Sequence, residues 1–497
     1  MSDIKVHKVN ESTIFIETTN LKISKEISNY FTVKAPNYRF SPKYRQGFWD
    51  GNIRFFSTMD ATLAIGLTEE LKNFARGGDY SIKLNFEDGF SMEPEEFRKF
   101  VDMLNIVVPG GGKPRNYQIA AAWDAITKRR ISLEIPTSGG KTLVSYIVAR
   151  FMQLTGRKML MVVPTTSLVE QTFSDWYTYG WYDIDKHVHR IYGGQKKVYD
   201  APIIVSTWQS LYKDKELFSV FDTLLVDEAH LAKATSLKNI SAWCTSAAHR
   251  IGMSGTYPDA GNADYLTVVG ALGPIKKYIT YQEMADKGYI ARLKIFSVIL
   301  DYDQEFRMRI KNECYKDYPG EGDLIHNHPG RNMFISKLVN NLDKNVLILF
   351  TKIEKHGLVL KKHLEQHCKE KSIIYIDGDT PTMERERFRR IAEERNDLVI
   401  LASYGTFSTG ISIKNIHHVI FASGYKSKYK VLQSIGRGLR KMKDKFVIHL
   451  YDLIDDCKTK KKGEPAYINY SLQHYDERKI LYENNNFENK EMRYPIK

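Results

Sequence analysis

Two adjacent carboxylates, Asp227 and Glu228, end an apolar run of the sequence and are the first candidates for chemistry. The run FDTLLVDEAH, residues 221–230, predicts a buried parallel strand over 223–226, which places both acids at the carboxyl end of that strand. Open α/β sheets bind their ligands at this edge, so a magnesium nucleotide is expected there. Taken alone, the tetrapeptide also fits a solvated turn or the start of a helix, and that alternative stays open.

A glycine-containing loop upstream is the second candidate. The sequence predicts a strand over 131–135 and an apolar-periodic helix from Lys141 onward. Loop amides and the helix N-terminus would face phosphates, with positive charge from Lys141 and a magnesium ligand from Thr142. Ile135 stands where the strict pattern has glycine, so a merely structural turn is the alternative. The loop itself consists of Pro136, Thr137, Ser138, Gly139 and Gly140.

A third candidate is the basic segment QSIGRGLR, residues 433–440. Gln433, Arg437 and Arg440 are spaced so that a helix would project them on neighbouring faces. Two arginines aimed at a developing phosphate charge assist phosphoryl transfer. The alternative is a basic helix that contacts nucleic-acid phosphates or solvent.

The elements that must position these side chains alternate between strands and helices. Such alternation predicts parallel sheets whose functional loops share one edge. A second series of strands follows a polar connector over 301–332 and lacks a phosphate loop, which predicts a cleft between two lobes. The strands predicted after the loop in the first series are 158–163, 202–206, 223–226 and 250–254, and those of the second are 346–350, 373–376, 398–401, 419–422 and 446–450.

Composition shifts divide the chain further. Short β-type runs and a helix near 93–104 predict a small α/β domain at the N-terminus. Two prolines and three glycines then mark a linker. The predicted order is a small domain over 1–108, a linker over 109–114, parallel-sheet domains over 115–290 and 291–455, and a solvated, loosely ordered extension over 456–497.

Within the small domain, residues 34–56 interleave cations with aromatic side chains. Cations for phosphates beside aromatic rings for stacking or wedging suit single-stranded and distorted nucleic acid. A β-hairpin whose aromatic side chains form a core explains the same pattern, and the sequence does not separate the two. The candidate DNA contacts are Arg39, Lys43, Arg45 and Trp49.

Charge and cysteine usage narrow the class of protein. The 497 residues include 73 Lys and Arg against 59 Asp and Glu, a net charge of +14, which favours a polyanionic partner. Nucleic acid is the first expectation and an anionic membrane surface the weaker one. The four cysteines form no CxxC pair, so neither a disulfide framework nor a zinc ribbon is indicated. Without an apolar span or a signal-peptide core, the expectation is a cytoplasmic protein.

Taken in chain order, eight segments resemble the motif series of superfamily 2 helicases over residues 115–450. The resemblance implies two tandem RecA-like parallel-sheet domains preceded by the small α/β domain, with ATP and Mg²⁺ as cofactors. Within this superfamily the full chain resembles the recombination helicases of T-even bacteriophages, which would place it in the host cytoplasm. The matching segments are PTSGGKT, VVPTTSLVEQ, STWQSL, VDEAH, MSGT, LILFT, SYGTFSTGIS and QSIGRGLR.

The resemblance also implies roles for the matched residues. Lys141 and Thr142 would hold the phosphates and magnesium. Asp227 would bind magnesium, and Glu228 would orient and activate the attacking water. Ser412 stands where the family commonly has aspartate, so a contact from that carboxylate is missing. The remaining roles are adenine recognition by Arg115 and Gln118, a nucleotide contact by Gly410, coupling by Ser254 and Thr256, completion of the site by Gln433, Arg437 and Arg440, and backbone contacts to a nucleic-acid strand by Pro164, Thr165, Thr207 and Ser403.

The implied function is an ATP-dependent DNA helicase or translocase that remodels forks, four-way junctions, D-loops and R-loops in recombination, repair and replication. Its implied partners are branched DNA and RNA–DNA hybrids, with no membrane, and the expected state is a monomer. Two alternatives stay open. One is an ATP-dependent RNA helicase. The sequence of the basic segment, QSIGRGLR, disfavours it because RNA-directed relatives usually have QRxGRAGR there. The other is a nucleotide-switched clamp that binds branched DNA without moving.

Overall fold

The computed structural model of the chain divides into two compact units, Met1–Ile279 and Thr280–Lys497. No helix in the part of the chain that the structure describes is long and apolar enough to cross a membrane. The described residues are 2–87, 89–193, 199–211, 215–231, 234–410, 413–424, 427, 431–432, 434–436, 439, 446–460 and 466–497.

The first unit begins with a small α/β layer built on a four-stranded sheet of order β5-β2-β1-β6. Alternate residues of β1 and β2 are buried, as expected for strands with one face on a core. A separate antiparallel ribbon, β3 with β4, carries the basic and aromatic stretch on its connection. The elements are β1 Ile4–Lys8, β2 Thr13–Thr18, α1 Leu21–Tyr30, β3 Thr32–Lys34, α2 Pro42–Arg45, β4 Asn52–Arg54, β5 Thr62–Ala64, α3 Thr68–Gly77 and β6 Ile82–Leu84. The helix predicted for the small domain, α4 Pro94–Met103, instead packs its Phe97 and Val101 in the core of the parallel sheet.

The larger part of the first unit is a seven-stranded parallel sheet of order β13-β7-β12-β11-β8-β10-β9. Its central strands are buried along nearly their whole length, which is why they read as continuous apolar runs. The elements are α5 Asn116–Thr127, β7 Arg130–Glu134, α6 Lys141–Leu154, β8 Met159–Val163, α7 Thr166–Thr178, β9 Val188–Ile191, β10 Ile203–Thr207, α8 Trp208–Leu211, β11 Thr223–Asp227, α9 Ala234–Trp243, β12 His249–Ser254, α10 Ala263–Leu272 and β13 Ile275–Lys277.

The small layer and the parallel sheet share a core. Leu266 and Val269 of α10 pack in the same apolar cluster as the strands of the small sheet. Gly66 lies so close to α10 that a Cβ there would meet the Val269 carbonyl oxygen at 2.1 Å, so only glycine fits. The Arg130 guanidinium at the start of β7 forms an ion pair with Glu11. The small layer is therefore a fixed part of the first unit.

The second unit is another seven-stranded parallel sheet, of order β16-β17-β15-β18-β19-β14-β20. Two parallel sheets of this kind, preceded by the small layer, confirm the predicted fold class. The elements are α11 Tyr281–Asp286, β14 Arg292–Asp301, α12 Gln304–Glu313, α13 Tyr318–His326, α14 Pro329–Asn340, β15 Val346–Phe350, α15 Val359–His367, β16 Ser372–Ile376, α16 Thr382–Glu394, β17 Leu398–Ser403, α17 Tyr404–Gly410, β18 His418–Phe421, β19 Val447–Asp456, α18 Tyr470–Asn484 and β20 Glu488–Pro495.

The prediction that 456–497 is a loosely ordered extension is wrong. Strand β20 pairs in parallel with β14, in register from Lys294 opposite Glu488 to Asp301 opposite Pro495. The N-terminus of α18 is capped by Glu321, whose carboxylate accepts from the amides of Tyr470 and Ser471 at 2.9 and 3.0 Å. These contacts are hydrogen bonds, which a polar segment forms without any apolar pattern. The composition of the segment therefore gave no sign that it docks.

A buried pair of histidines makes the stability of the second unit depend on pH. His326 and His356 stack with ring centroids 3.7 Å apart and are 6% and 0% exposed. Burial lowers the pKa of His326 to about 3 and that of His356 well below its usual value. Each ring therefore binds a proton near pH 6.5 only in the unfolded chain, so stability is lost as pH falls below that value.

We expect this loss to reach about 2 kcal/mol for each histidine at pH 5. Denaturant unfolding at pH 7.5 and pH 5 measures it directly. His356→Phe keeps an aromatic ring in place and should remove one histidine's share of the pH dependence. His367→Gln, an exposed histidine of the same unit, is the control and should leave it intact. A His356→Phe variant with the full wild-type loss would contradict the assignment.

Candidate functional site

The two predicted carboxylates lie at the carboxyl end of β11. Asp227 is the last residue of the strand, and Glu228 follows with a φ of 47°, a left-handed conformation that is uncommon for a non-glycine residue and concentrates at functional sites. The Glu228 amide donates to Asp227 Oδ1 at 2.9 Å. Burial, reinforced by the charge of Glu228 and opposed by Lys141, raises the pKa of Asp227 to about 7. A cation placed beside these oxygens would be strongly favoured.

The predicted phosphate loop connects β7 to α6 at the same edge of the sheet, because β7 and β11 flank β12. Ser138 and Gly140 adopt left-handed φ values of 67° and 79°. A Cβ on Gly140 would lie 2.2 Å from Gln118 Nε2, so glycine is required for both its conformation and its surroundings. The loop then leads directly into α6, with Lys141 and Thr142 as its first two residues. Pro136, Thr137 and Gly139 complete the loop, and of these Pro136 and Gly139 are buried.

The structure brings the loop lysine to the carboxylates. Lys141 Nζ lies 3.3 Å from Glu228 Oε1, and the two side chains are 11% and 18% exposed. An ion pair this well shielded is screened less by salt than a surface pair. The two motifs, far apart in sequence, thus meet at one point with opposite charges facing each other.

A polar chain continues from Glu228 into the loop after β12. His230 Nδ1 lies 2.7 Å from Ser254 Oγ and 3.4 Å from Glu228 Oε2. The Ser254 hydroxyl donates to the Thr256 carbonyl oxygen at 2.6 Å, so the proton shared with the ring belongs to His230. Burial lowers the pKa of His230 to about 4, which keeps the ring neutral. The predicted coupling residues Ser254 and Thr256 therefore connect to Glu228 through His230, a residue that sequence reasoning did not assign.

The predicted adenine-reading residues hold the phosphate loop in place. Gln118 is 5% exposed; its Oε1 accepts from the Arg115 amide at 2.8 Å and its Nε2 donates to the Gly139 carbonyl oxygen at 3.0 Å. The hydroxyl of Tyr117 donates to the same carbonyl at 2.6 Å, and Arg115 Nη1 donates to Tyr117 Oη at 3.1 Å. Tyr117 was missed because a single tyrosine in the segment RNYQ carries no signal of this contact.

The residues predicted to contact a nucleic-acid backbone lie where strands end. Thr165 follows Pro164 after β8 and caps α7 by accepting from the Leu168 amide at 3.3 Å. Thr207 ends β10 but is only 3% exposed, and its Oγ1 lies 2.9 Å from Ser210 Oγ, so its side chain offers little surface to a ligand.

In the second unit, Ser403 ends β17, with its Oγ 2.8 Å from Thr406 Oγ1. Gly410 is the last residue of α17. Gln433, Arg437 and Arg440, together with Ser412, lie outside the described residues, so the role of the basic segment stays a prediction.

The basic and aromatic stretch of the small layer faces solvent. Phe40 and Phe48 are 71% and 83% exposed, which rules out a core role for these two rings. Arg39, Lys43 and Arg45 are also exposed, and the Arg45 guanidinium lies 6.0 Å from the Phe40 ring centre. We call Arg39, Phe40, Lys43, Arg45 and Phe48 the ribbon patch. Trp49, the fourth predicted DNA contact, is half-buried, and its Nε1 donates to the Asn52 carbonyl oxygen at 2.9 Å inside the ribbon.

Three family models match the chain in this order. The model "DNA helicase UvsW, N-terminal" matches residues 3–85, which contain the ribbon patch. The model "Type III restriction enzyme, res subunit" matches residues 111–259, the region of the phosphate loop and the carboxylates. The model "Helicase conserved C-terminal domain" matches residues 330–442 in the second unit.

Individual proteins match along most of the chain. The "ATP-dependent DNA helicase uvsW" of Enterobacteria phage T4 is 34% identical over 491 residues, covering 95% of both chains. The crystal structure of T4 UvsW is 32% identical, covers 99% of both chains and superposes with a TM-score of 0.52. The "DNA 3'-5' translocase XPB2" of Sulfurisphaera tokodaii is 26% identical over 365 residues, 67% of this chain and 79% of that protein. The chain therefore belongs to the UvsW family of superfamily 2 helicases.

Proposed function

We propose that the protein is an ATP-driven DNA motor that remodels branched DNA, namely forks, four-way junctions, D-loops and R-loops. The observation that supports this most directly is the Lys141–Glu228 pair at 3.3 Å, in the same unit as the exposed ribbon patch. The same unit thus contains a nucleotide site and a surface suited to distorted DNA. The name of the T4 relative, an ATP-dependent DNA helicase, agrees with this function. We also propose that it acts as a monomer in the cytoplasm of the host cell.

Within this proposal, Thr142 and Asp227 would hold Mg²⁺ beside the nucleotide. Their oxygen donors are of the type that Mg²⁺ prefers, and burial together with the charge of Glu228 raises the pKa of Asp227, so a nearby cation would favour its ionised form. Bound Mg²⁺ would neutralise phosphate charge. Lys141 binds phosphate once ATP displaces it from Glu228, and Glu228 then accepts a proton from the attacking water.

The chain from Glu228 through His230 to Ser254 and Thr256 offers a route for coupling. Any displacement of Glu228 on nucleotide binding alters the hydrogen bond between His230 and Ser254, which are 2.7 Å apart. A Cβ added at Gly255 would lie only 3.3 Å from the Thr137 amide nitrogen, so this loop packs directly on the phosphate loop. We propose that the loop after β12 responds to the state of the nucleotide in this way.

The ribbon patch grips or wedges the DNA. α10 and the Glu11–Arg130 pair join the small layer to the parallel sheet, so the patch and the nucleotide site belong to one compact unit. Exposed phenylalanine rings stack on bases or insert between them, while the neighbouring cations contact phosphates. This combination favours branched DNA, where unpaired bases and closely spaced phosphates occur together.

Magnesium-dependent ATP hydrolysis tests the proposal in four conditions: no polymer, single-stranded DNA, a forked duplex, and RNA of matched length. Lys141→Ala provides the blank. We expect strong stimulation by DNA, greatest with the fork. Stimulation by RNA alone would favour an RNA helicase. Fork binding with turnover but without strand displacement would favour the clamp.

Removing one cation and one ring from the ribbon patch should weaken fork binding. Arg45→Ala with Phe48→Ala removes a phosphate contact and a stacking surface, and we expect about a 10- to 100-fold loss of affinity for a forked duplex. Fluorescence anisotropy at fixed salt measures the loss. Arg76→Ala with Met59→Ala, exposed residues of the small layer outside the ribbon, is the matched control. Equal affinities for the two variants would refute the role of the patch.

A further inference from the structure

The second unit contains a groove of tyrosines and lysines that no helicase motif covers. It has a volume of about 480 Å³ and lies between the end of α12 and the start of α18, including the segment just before that helix. We call it the tyrosine–lysine groove, defined by Lys311, Tyr315, Lys316, Tyr467, Tyr470 and Gln473. We propose that this groove binds single-stranded DNA by stacking its bases on the tyrosines and pairing its phosphates with the lysines.

The tyrosine rings are arranged as adjacent platforms. Tyr315 is 63% exposed, and its ring centroid lies 6.4 Å from that of Tyr467. Tyr470 lies 5.4 Å from Tyr318, which is 47% exposed. Tyr467 and Tyr470 are half-buried, and Tyr467 packs against the core of the second unit. The exposed rings of Tyr315 and Tyr318 each offer a face on which a base of any identity stacks.

The groove is held by a rigid frame. Tyr467 exchanges two backbone hydrogen bonds with Thr459, at 2.9 and 3.1 Å. Asn469 is fully buried and its Oδ1 accepts from the Cys457 amide at 3.0 Å. Glu321 fixes the backbone of Tyr470 from below. Tyrosines on a fixed backbone lose less conformational freedom when a base stacks on them.

The charges around the groove suit a polyanion. Lys316 Nζ lies 5.3 Å from the Tyr315 ring centre, and Lys311 lines the same groove. Of the acids nearby, Glu313 pairs with Arg309 at 3.0 Å, and Asp317 caps α13 by accepting from the Gly320 amide at 3.1 Å. Glu321 lies beneath the rings, 2% exposed, and accepts from the Tyr470 amide. Interleaved cations and rings are the pattern that binds single strands without sequence preference.

The place of the groove in the sheet supports the same ligand. The segment 466–471 lies against the carboxyl end of β19, since the Asp455 amide donates to Ser471 Oγ at 3.0 Å. Ser403, a predicted backbone contact, ends β17 at the same edge, three strands away in the sheet order. With about 4.8 Å between neighbouring strands, the lateral separation is about 14 Å. A single strand of DNA that contacts the sheet edge at β17 can therefore extend to the groove.

The inference rests on the proposed action on DNA, and its test separates the two. The probe is a fluorescein-labelled oligothymidylate, with anisotropy measured without nucleotide over a range of salt concentrations. Tyr315→Ala with Lys316→Ala should weaken binding by about 5- to 50-fold and lower the salt slope by about 0.7. Both side chains are exposed, so the fold should survive, and thermal melting checks this.

Tyr182→Ala with Lys186→Ala is the matched control. Tyr182 is 67% exposed and also has a tyrosine neighbour, Tyr177 at 5.4 Å, but it stands beside Asp183 and Asp185. Photo-crosslinking of a bromodeoxyuridine-substituted oligonucleotide should label peptides containing Tyr315 or Tyr467 in the wild type.

Two results would overturn the inference while leaving the proposed function intact, provided that DNA still stimulates ATP hydrolysis. One is equal oligothymidylate affinity in the groove and control variants, with no crosslink in the groove. The other is binding of an acidic peptide, such as polyglutamate, in the groove while oligothymidylate makes no crosslink there. That result would assign the groove to a protein partner. Absence of any DNA stimulation in the wild type would instead contradict the proposed function itself.

Discussion

Replacing Glu228 with glutamine should lower DNA-stimulated ATP turnover by about 10²- to 10⁴-fold, the contribution expected of a general base. Glutamine keeps the shape of the side chain but does not accept a proton from water. ATP binding should be retained or become tighter, because the variant removes a negative charge near the phosphates and releases Lys141 from its pair at 3.3 Å. Steady-state hydrolysis and equilibrium binding of a fluorescent ATP analogue measure the two effects separately.

Glu134→Gln is the matched control for this prediction. Glu134 ends β7 at the same edge of the sheet and pairs with Lys277 at 3.4 Å rather than with Lys141. The same chemical change there should leave turnover within about twofold, since it removes only a partly exposed ion pair. Wild-type turnover in Glu228→Gln, or equal losses in the two variants, would show that another group activates the water.

The meeting of Lys141 and Glu228 follows from features that a sequence displays. Each residue stands next to a strand with a continuous apolar run, and a parallel sheet gathers the ends of such strands at one edge. Local patterns thus predicted the candidate nucleotide site. The contacts of Tyr117 and His230 were not predictable in this way. They depend on which loops pack together, and neither residue has a local pattern that reports such packing.

The elements that bury apolar side chains were predictable from the sequence, and the elements held by polar contacts were not. Strand β15, Val346–Phe350, is fully buried and has the predicted bounds. Strand β20 reads ENKEMRYP, mostly exposed, and joins the sheet edge through backbone pairing with β14 rather than an apolar face. Backbone hydrogen bonds are available to every sequence, so composition gives no sign of them. The segment from Tyr470 to Asn484 was not predicted to dock because it is held by buried polar side chains, Arg478 and Tyr482 on Asp452, which a polar composition does not distinguish from an exposed surface.

Replacing Arg478 with alanine should destabilise the second unit by about 3–5 kcal/mol, because it leaves a buried carboxylate without its cation. Arg478 is 2% exposed and donates from Nε and Nη2 to Asp452, at 2.8 and 3.0 Å. Asp452 is fully buried and also accepts from the Tyr482 hydroxyl at 2.9 Å. The pair therefore anchors α18 to β19.

Lys479→Ala offers the matched comparison, because the next residue of the same helix pairs with Glu491 at 2.9 Å while 45% exposed. An exposed pair of this kind contributes about 0–1 kcal/mol, so chemical denaturation should separate the two variants clearly. Adding Asp452→Asn to Arg478→Ala should recover part of the loss, since the neutral amide no longer demands a cation. If Arg478→Ala costs no more than Lys479→Ala, the buried pair does not hold α18 in place, and the backbone pairing of β20 must carry the docking of the segment.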